Sequence, residues 1–183
     1  MVSVKIVVGG GFGVGKTTFV GSVSEITPLT TEALVTTASA DMDNLSAVQD
    51  KTTTTVALDF GRVSLDRELI LYLFGMPGQS SFWFMRYDLA TGAIGAVVLI
   101  DTRRLASCFD ILEYLERVGL PFVVAVNGFH GEFQYAADDI RVALSISPHV
   151  PIVECDARNR TSAKQVLIAL VQHVMSLHAP TPP

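Results

Sequence analysis

The chain has 183 residues, enough for one well-buried α/β core and short for two domains. A formal net charge of −5, with 17% charged residues and no basic cluster, gives nucleic acid no footing. Mean hydropathy is high at +0.43, yet apolar runs such as Ala93 to Ile100 are far too short to span a bilayer and read as buried parallel strands.

The first residues lack a basic n-region followed by an apolar stretch, and the end, His178-Ala-Pro-Thr-Pro-Pro183, has no lipidation cysteine. The expectation is a cytoplasmic chain with no anchor of its own, any membrane recruitment coming through a partner. Residues 1–178 should form the folded domain and 179–183 a disordered Pro-rich tail. Cys108 and Cys155 have no metal-ligand spacing and are expected to be buried free thiols.

In chain order, Val4 to Val8 reads as a strand and Thr18 to Val23 as a helix. Between them Gly10-Gly-Phe-Gly-Val-Gly-Lys-Thr17 is a complete G-x-x-x-x-G-K-[ST] phosphate-binding loop. Its glycines let backbone N–H groups turn toward phosphates, Lys16 neutralises the β/γ-phosphates and Thr17 offers a hydroxyl to Mg²⁺. Gly11, Phe12, Gly13, Val14, Gly15, Lys16, Thr17 and Thr18 are therefore the first candidate nucleotide contacts.

Ser24 to Thr54 has the composition of a mobile surface loop, with Asp41, Asp43 and Asp50 as solvated charges. Strands follow at Thr55 to Val63 and Leu69 to Phe74, close enough in sequence to form an antiparallel hairpin. Later strands are expected at Ala93 to Ile100, Phe122 to Val126 and Ile152 to Glu154. Helices are expected at Phe109 to Val118, Ala136 to Ile146 and Ser162 to Leu177, where Ala163, Val166, Leu167, Leu170, Val171, Val174 and Leu177 share one face. The pattern predicts a mostly parallel six-stranded sheet with one antiparallel strand, helices on both faces and the ligand at the carboxyl ends of the strands.

Three further motifs carry a resemblance. Thr55-Val-Ala-Leu-Asp-Phe60 is similar to the T-I-G-x-D-F that closes switch I of Ras-like small GTPases, with Thr54 the alternative register. Phe74-Gly-Met-Pro-Gly-Gln79 is similar to the W-D-x-A-G-Q of their switch II. Asn127-Gly-Phe-His130 stands where they carry N-K-x-D, and Cys155-Asp-Ala-Arg158 resembles their second base-reading loop. Together with the strand end Val98-Leu-Ile-Asp-Thr-Arg-Arg104, these look most like the MglA-like bacterial small GTPases of the conservon type in actinobacteria. The resemblance covers Val4 to Leu177 and implies a Ras-like three-layer sandwich that binds GTP and GDP with Mg²⁺. It also implies work beside a roadblock-type protein and a sensor-kinase-like protein, and leaves a transient dimer open.

By that resemblance, the Thr55 hydroxyl and N–H sense Mg²⁺ and the γ-phosphate, Gly78 donates its N–H there, and Gln79 orients the attacking water. Asn127, Phe129, His130, Asp156, Ala157 and Arg158 border the base, with the Ala157 N–H reading guanine O6. Three features depart from the pattern. Gly75 replaces the aspartate that holds Mg²⁺ through water, and Asp59 on the neighbouring strand is the candidate substitute. Phe12 replaces a small residue and crowds Gln79. His130 replaces the aspartate whose two oxygens select guanine, so base selectivity should be relaxed. Arg86 reads either as a surface residue or as an arginine finger in cis. Phe82 to Met85 either pack beneath the switch or meet a partner. The expected activity is slow, partner-assisted GTP hydrolysis, catalysed by Gln79, Lys16 and Thr55. The competing readings are a non-catalytic nucleotide-binding interaction module and an ATP-using P-loop enzyme.

Overall fold

A computed structural model describes residues 2–35, 54–65, 67–78, 84–129 and 133–178. Seven strands form one sheet: β1 (Val2–Gly10), β2 (Leu29–Val35), β3 (Thr54–Ser64), β4 (Leu69–Gly75), β5 (Ala93–Ile100), β6 (Phe122–Asn127) and β7 (Ile152–Cys155). They lie in the order β2-β3-β4-β1-β5-β6-β7. Only β3 runs against the others, paired antiparallel to both β2 and β4.

The α/β class, the parallel strands and the β3–β4 hairpin match the sequence expectation. The strand count does not, because six were expected and β2 is a seventh at the edge. It falls within the stretch read as a loop. Leu29-Thr-Thr-Glu-Ala-Leu-Val35 mixes β-branched and apolar residues, and the polar composition of the longer segment concealed that run. Asp41, Asp43, Asp50 and the 179–183 tail lie outside the described residues.

Alternation along the central strands builds two cores, one on each face of the sheet. Ile6, Val8, Val97, Leu99, Val123 and Ala125 pack with α1 (Lys16–Val23) and α5 (Arg160–His178). Their neighbours Val7, Ala96, Val98, Ile100, Val124 and Val126 point the opposite way, toward α3 (Phe109–Val118) and α4 (Ala137–Leu144). The α5 stripe Ala163, Val166, Leu167 and Leu170 is buried at helical spacing. A short helix not anticipated from sequence, α2 (Phe84–Ala90), leads into β5. Phe82 and Trp83 lie outside the described residues.

The sheet order places the carboxyl ends of β4, β1, β5, β6 and β7 side by side. Because β3 is reversed, its first half, Thr54 to Asp59, extends past that same edge. The register shows this directly: Phe60 opposes Phe74, while Thr54 through Asp59 pair with β2.

Candidate nucleotide site

The loop Gly10–Thr17 leaves the carboxyl end of β1 and opens α1. Gly15 caps that helix with φ 105°, a left-handed conformation in which a side chain would be strained. No side chain caps α1, so the backbone N–H groups of its first turn are left for an anion.

Lys16 folds back over the loop, its Nζ donating to Gly10 O at 3.0 Å and Gly11 O at 2.7 Å. Burial pulls its ammonium down to about 8, opposed by Asp59 and reinforced by Arg86. A half-buried cation short of negative charge is what a phosphate would satisfy. On one side the chain after β4 closes against this lysine: a Cβ on Gly78 would lie 2.7 Å from Lys16 Nζ and 2.9 Å from Phe12 N. The Gly78 backbone therefore rests on the crown of the loop, and Gln79 lies just outside the described residues. Phe12 is 66% exposed beside this contact.

Thr17 Oγ1 donates to Asp59 Oδ2 at 2.7 Å. Asp59 is 7% exposed and its Oδ1 is buried with no hydrogen-bond partner. A Cβ on Gly75 would lie 2.9 Å from Asp59 Cβ and 3.0 Å from Oδ2. The Asp59 carboxylate thus fills the space that a side chain at position 75 would take. Thr55 is placed elsewhere: its backbone lies in β3 opposite Leu34, four residues or about 13 Å along the strand from Asp59.

On the other side, Asn127 joins three strand ends. Its Nδ2 donates to Val14 O at 2.9 Å and its Oδ1 accepts from Ala157 N at 3.1 Å. The Ala157 N–H, expected by resemblance to read guanine O6, donates here to the Asn127 side chain. Asp156 and Arg158 form a bidentate pair at 2.9 Å. Asn159, directly after the Cys155–Arg158 loop, accepts from Ser162 N at its Oδ1 and caps the entry of α5. Gly128 donates its N–H to Cys155 O, and His130 lies outside the described residues.

One feature went unread in the sequence, and a second was left between two readings. Asp101, 2% exposed at the end of β5, holds Arg103 through both oxygens and also accepts from Arg104 Nε. These bonds keep its carboxyl below the usual range. They lay the Arg103 guanidinium 4.3 Å from the centre of the Phe129 ring and bring Arg104 Nη2 within 3.6 Å of a Cβ placed on Gly13. The Asp-Thr-Arg-Arg run at a strand's carboxyl end was the available signal. The second is Arg86, which is 4% exposed and therefore not the surface arginine its sequence position suggested. Asp110 and Tyr114 are its charged and polar neighbours, and its field reaches Lys16.

Among the described residues no group of three or more His, Cys, Asp or Glu could hold a metal, and no helix is long and apolar enough to cross a membrane. A family model described as conserved hypothetical ATP binding protein matches residues 8–177. An uncharacterized protein of the archaeon Methanocaldococcus jannaschii is 29% identical over 126 residues, which are 68% of this chain and 69% of that protein. A phosphate-binding loop, a half-buried lysine over its crown and a match over nearly the whole length lead to one conclusion: the chain belongs to the conserved hypothetical ATP binding protein family, a P-loop nucleotide-binding type.

Proposed function

We propose that the chain is a small GTP/GDP switch of the MglA-like, conservon type that hydrolyses GTP slowly with help from a partner. The observation that carries this reading is the pair of contacts flanking the loop: Gly78 pressed on Lys16, and Asp59 bonded to Thr17. A γ-phosphate arriving at Lys16 must displace or re-pair both. The β4 exit loop and β3 would therefore register which nucleotide is bound.

Hydrolysis would follow from Gln79 orienting a water toward the γ-phosphate while Lys16 offsets the charge that develops. Thr17 and Asp59 would hold Mg²⁺. The partnerless, buried Oδ1 of Asp59 fits that role, and a single carboxylate suits an ion that keeps waters and substrate phosphates as its other ligands. Mg²⁺ would supply further neutralisation of the phosphates. Thr55 would join only if the first half of β3 moved. Without a partner the turnover should be on the order of 10⁻⁴ per second, further slowed by Phe12. A roadblock-type protein and a sensor-kinase-like protein remain the partners that family likeness favours, with a cytoplasmic location and recruitment through them.

A second reading is an ATP-using protein, favoured by the description of the family and by histidine at position 130. The deciding experiment extracts the bound nucleotide from purified protein, competes labelled GTP with ATP, and follows phosphate release from both with wild type and Gln79→Ala. GDP in the extract with slow, GTP-selective, Gln79-dependent release is expected. Preferential displacement by ATP overturns the guanine assignment. Release indifferent to Gln79, or none, leaves a non-catalytic module.

A further inference from the structure

We propose that Phe133 is the ring on which the nucleobase stacks, and that this contact serves guanine and adenine almost equally. The inference deepens the nucleotide reading above and rests on it. Gly78 against Lys16 marks the γ-phosphate side, toward β4. With β1 central in the order β4-β1-β5-β6-β7, the nucleoside must extend the other way, over the carboxyl ends of β5, β6 and β7.

Asn127 lies at that end, tied to both Val14 and Ala157. The next residue, Gly128, has its side-chain space taken by another group: a Cβ there would meet Phe133 Cζ at 2.6 Å and Cε1 at 2.7 Å. The glycine is thus a seat for the outer edge of this ring. Seated there, Phe133 keeps 38% of its surface exposed. The neighbouring Phe129 already has the Arg103 guanidinium 4.3 Å from its ring centre. An exposed aromatic fixed beside the base-side loops, against a glycine whose side-chain space it fills, is a stacking platform.

Stacking uses the π-face that every base has, so it adds affinity without reading hydrogen-bond pattern. One other feature of the site works in the same direction: the Ala157 N–H is already given to Asn127.

The test is to titrate GTP, ATP and inorganic tripolyphosphate, at one fixed Mg²⁺ concentration, into wild type, Phe133→Ala, Phe133→Trp and Gly128→Ala. Phe133→Ala should raise the Kd of GTP and of ATP by similar factors of about ten, leaving tripolyphosphate unchanged. Phe133→Trp should match wild type, and Gly128→Ala, which pushes the ring off its seat, should reproduce the Phe133→Ala pattern. Unchanged nucleotide affinity in Phe133→Ala overturns the proposal, as does an equal loss for all three ligands, which would mark a structural role. Wild type holding tripolyphosphate as tightly as GTP also overturns it. Wild type binding none of the three overturns the nucleotide reading and this proposal with it.

Discussion

Asp59 and Gly75 behave as two halves of one decision about where a carboxylate sits. Because the Asp59 side chain occupies the volume above Gly75, Gly75→Asp alone forces two carboxylates together and should weaken Mg²⁺-dependent nucleotide binding. Asp59→Ala should weaken it by about tenfold or more, in line with losses of groups that position a metal's ligands. Moving the acid, with Gly75→Asp and Asp59→Gly combined, should recover most of that loss in a Mg²⁺ titration; no recovery would mean that the β3 position is required for another reason. Lys16 has a pH signature. Its folded-state value of about 8 lies below the ordinary 10.5, so its charged form costs the nucleotide-free protein stability below pH 8. That cost is relieved as pH rises toward 10.5. Unfolding of the nucleotide-free protein should therefore show a stability gain over that interval that Lys16→Met lacks, while wild-type nucleotide affinity falls above pH 8. Asp59 was legible as a candidate because an acid missing at 75 prompts a search on the adjacent strand. The Gly128–Phe133 seat was not, since the two are five residues apart across a loop and no local rule pairs a glycine with a later ring.

Elements differ in how far composition alone betrayed them. Strands β5 and β6 were readable as apolar runs, which burial on both faces requires, whereas β1 and β7 were legible despite Lys5 and Glu154. The edge strand β2 was not, because an edge needs only one good neighbour and tolerates Thr and Glu. That edge gives β3 an unequal footing. Its second half, Phe60 to Ser64, is laddered to β4, whereas Thr54 to Asp59 is laddered to β2. Support from a peripheral strand is weaker than support from the body of the sheet. Hydrogen exchange should find the Thr54–Asp59 amides opening well before those of Phe60–Ser64, and a non-hydrolysable GTP analogue should change the first set more than the second. Equal exchange in both halves, indifferent to nucleotide, would argue against β3 as a moving part. Asp101 also acts at this scale, since one buried carboxylate at the end of β5 orients two arginines toward different loops. Its position at a strand end was visible in sequence, but its partners are set by the kink at Arg104 (φ −144°, ψ 49°).

At the scale of the whole molecule, one sheet is shared by two separate cores, and each core holds one thiol. Cys155 belongs to the face covered by α1 and α5, Cys108 to the face covered by α3 and α4. Both are buried, and burial pushes both up to about 11, so neither should react with a maleimide at neutral pH while the fold is intact. The pair therefore forms a built-in, two-channel clock for unfolding. If the sheet makes the domain a single cooperative unit, mass spectrometry of partially labelled protein should show the two cysteines modified at one common rate, rising together with denaturant. Earlier labelling of Cys108 would mean that the α3–α4 face peels away while the phosphate-binding face stays folded. Bound nucleotide would then slow Cys155 and leave Cys108 untouched.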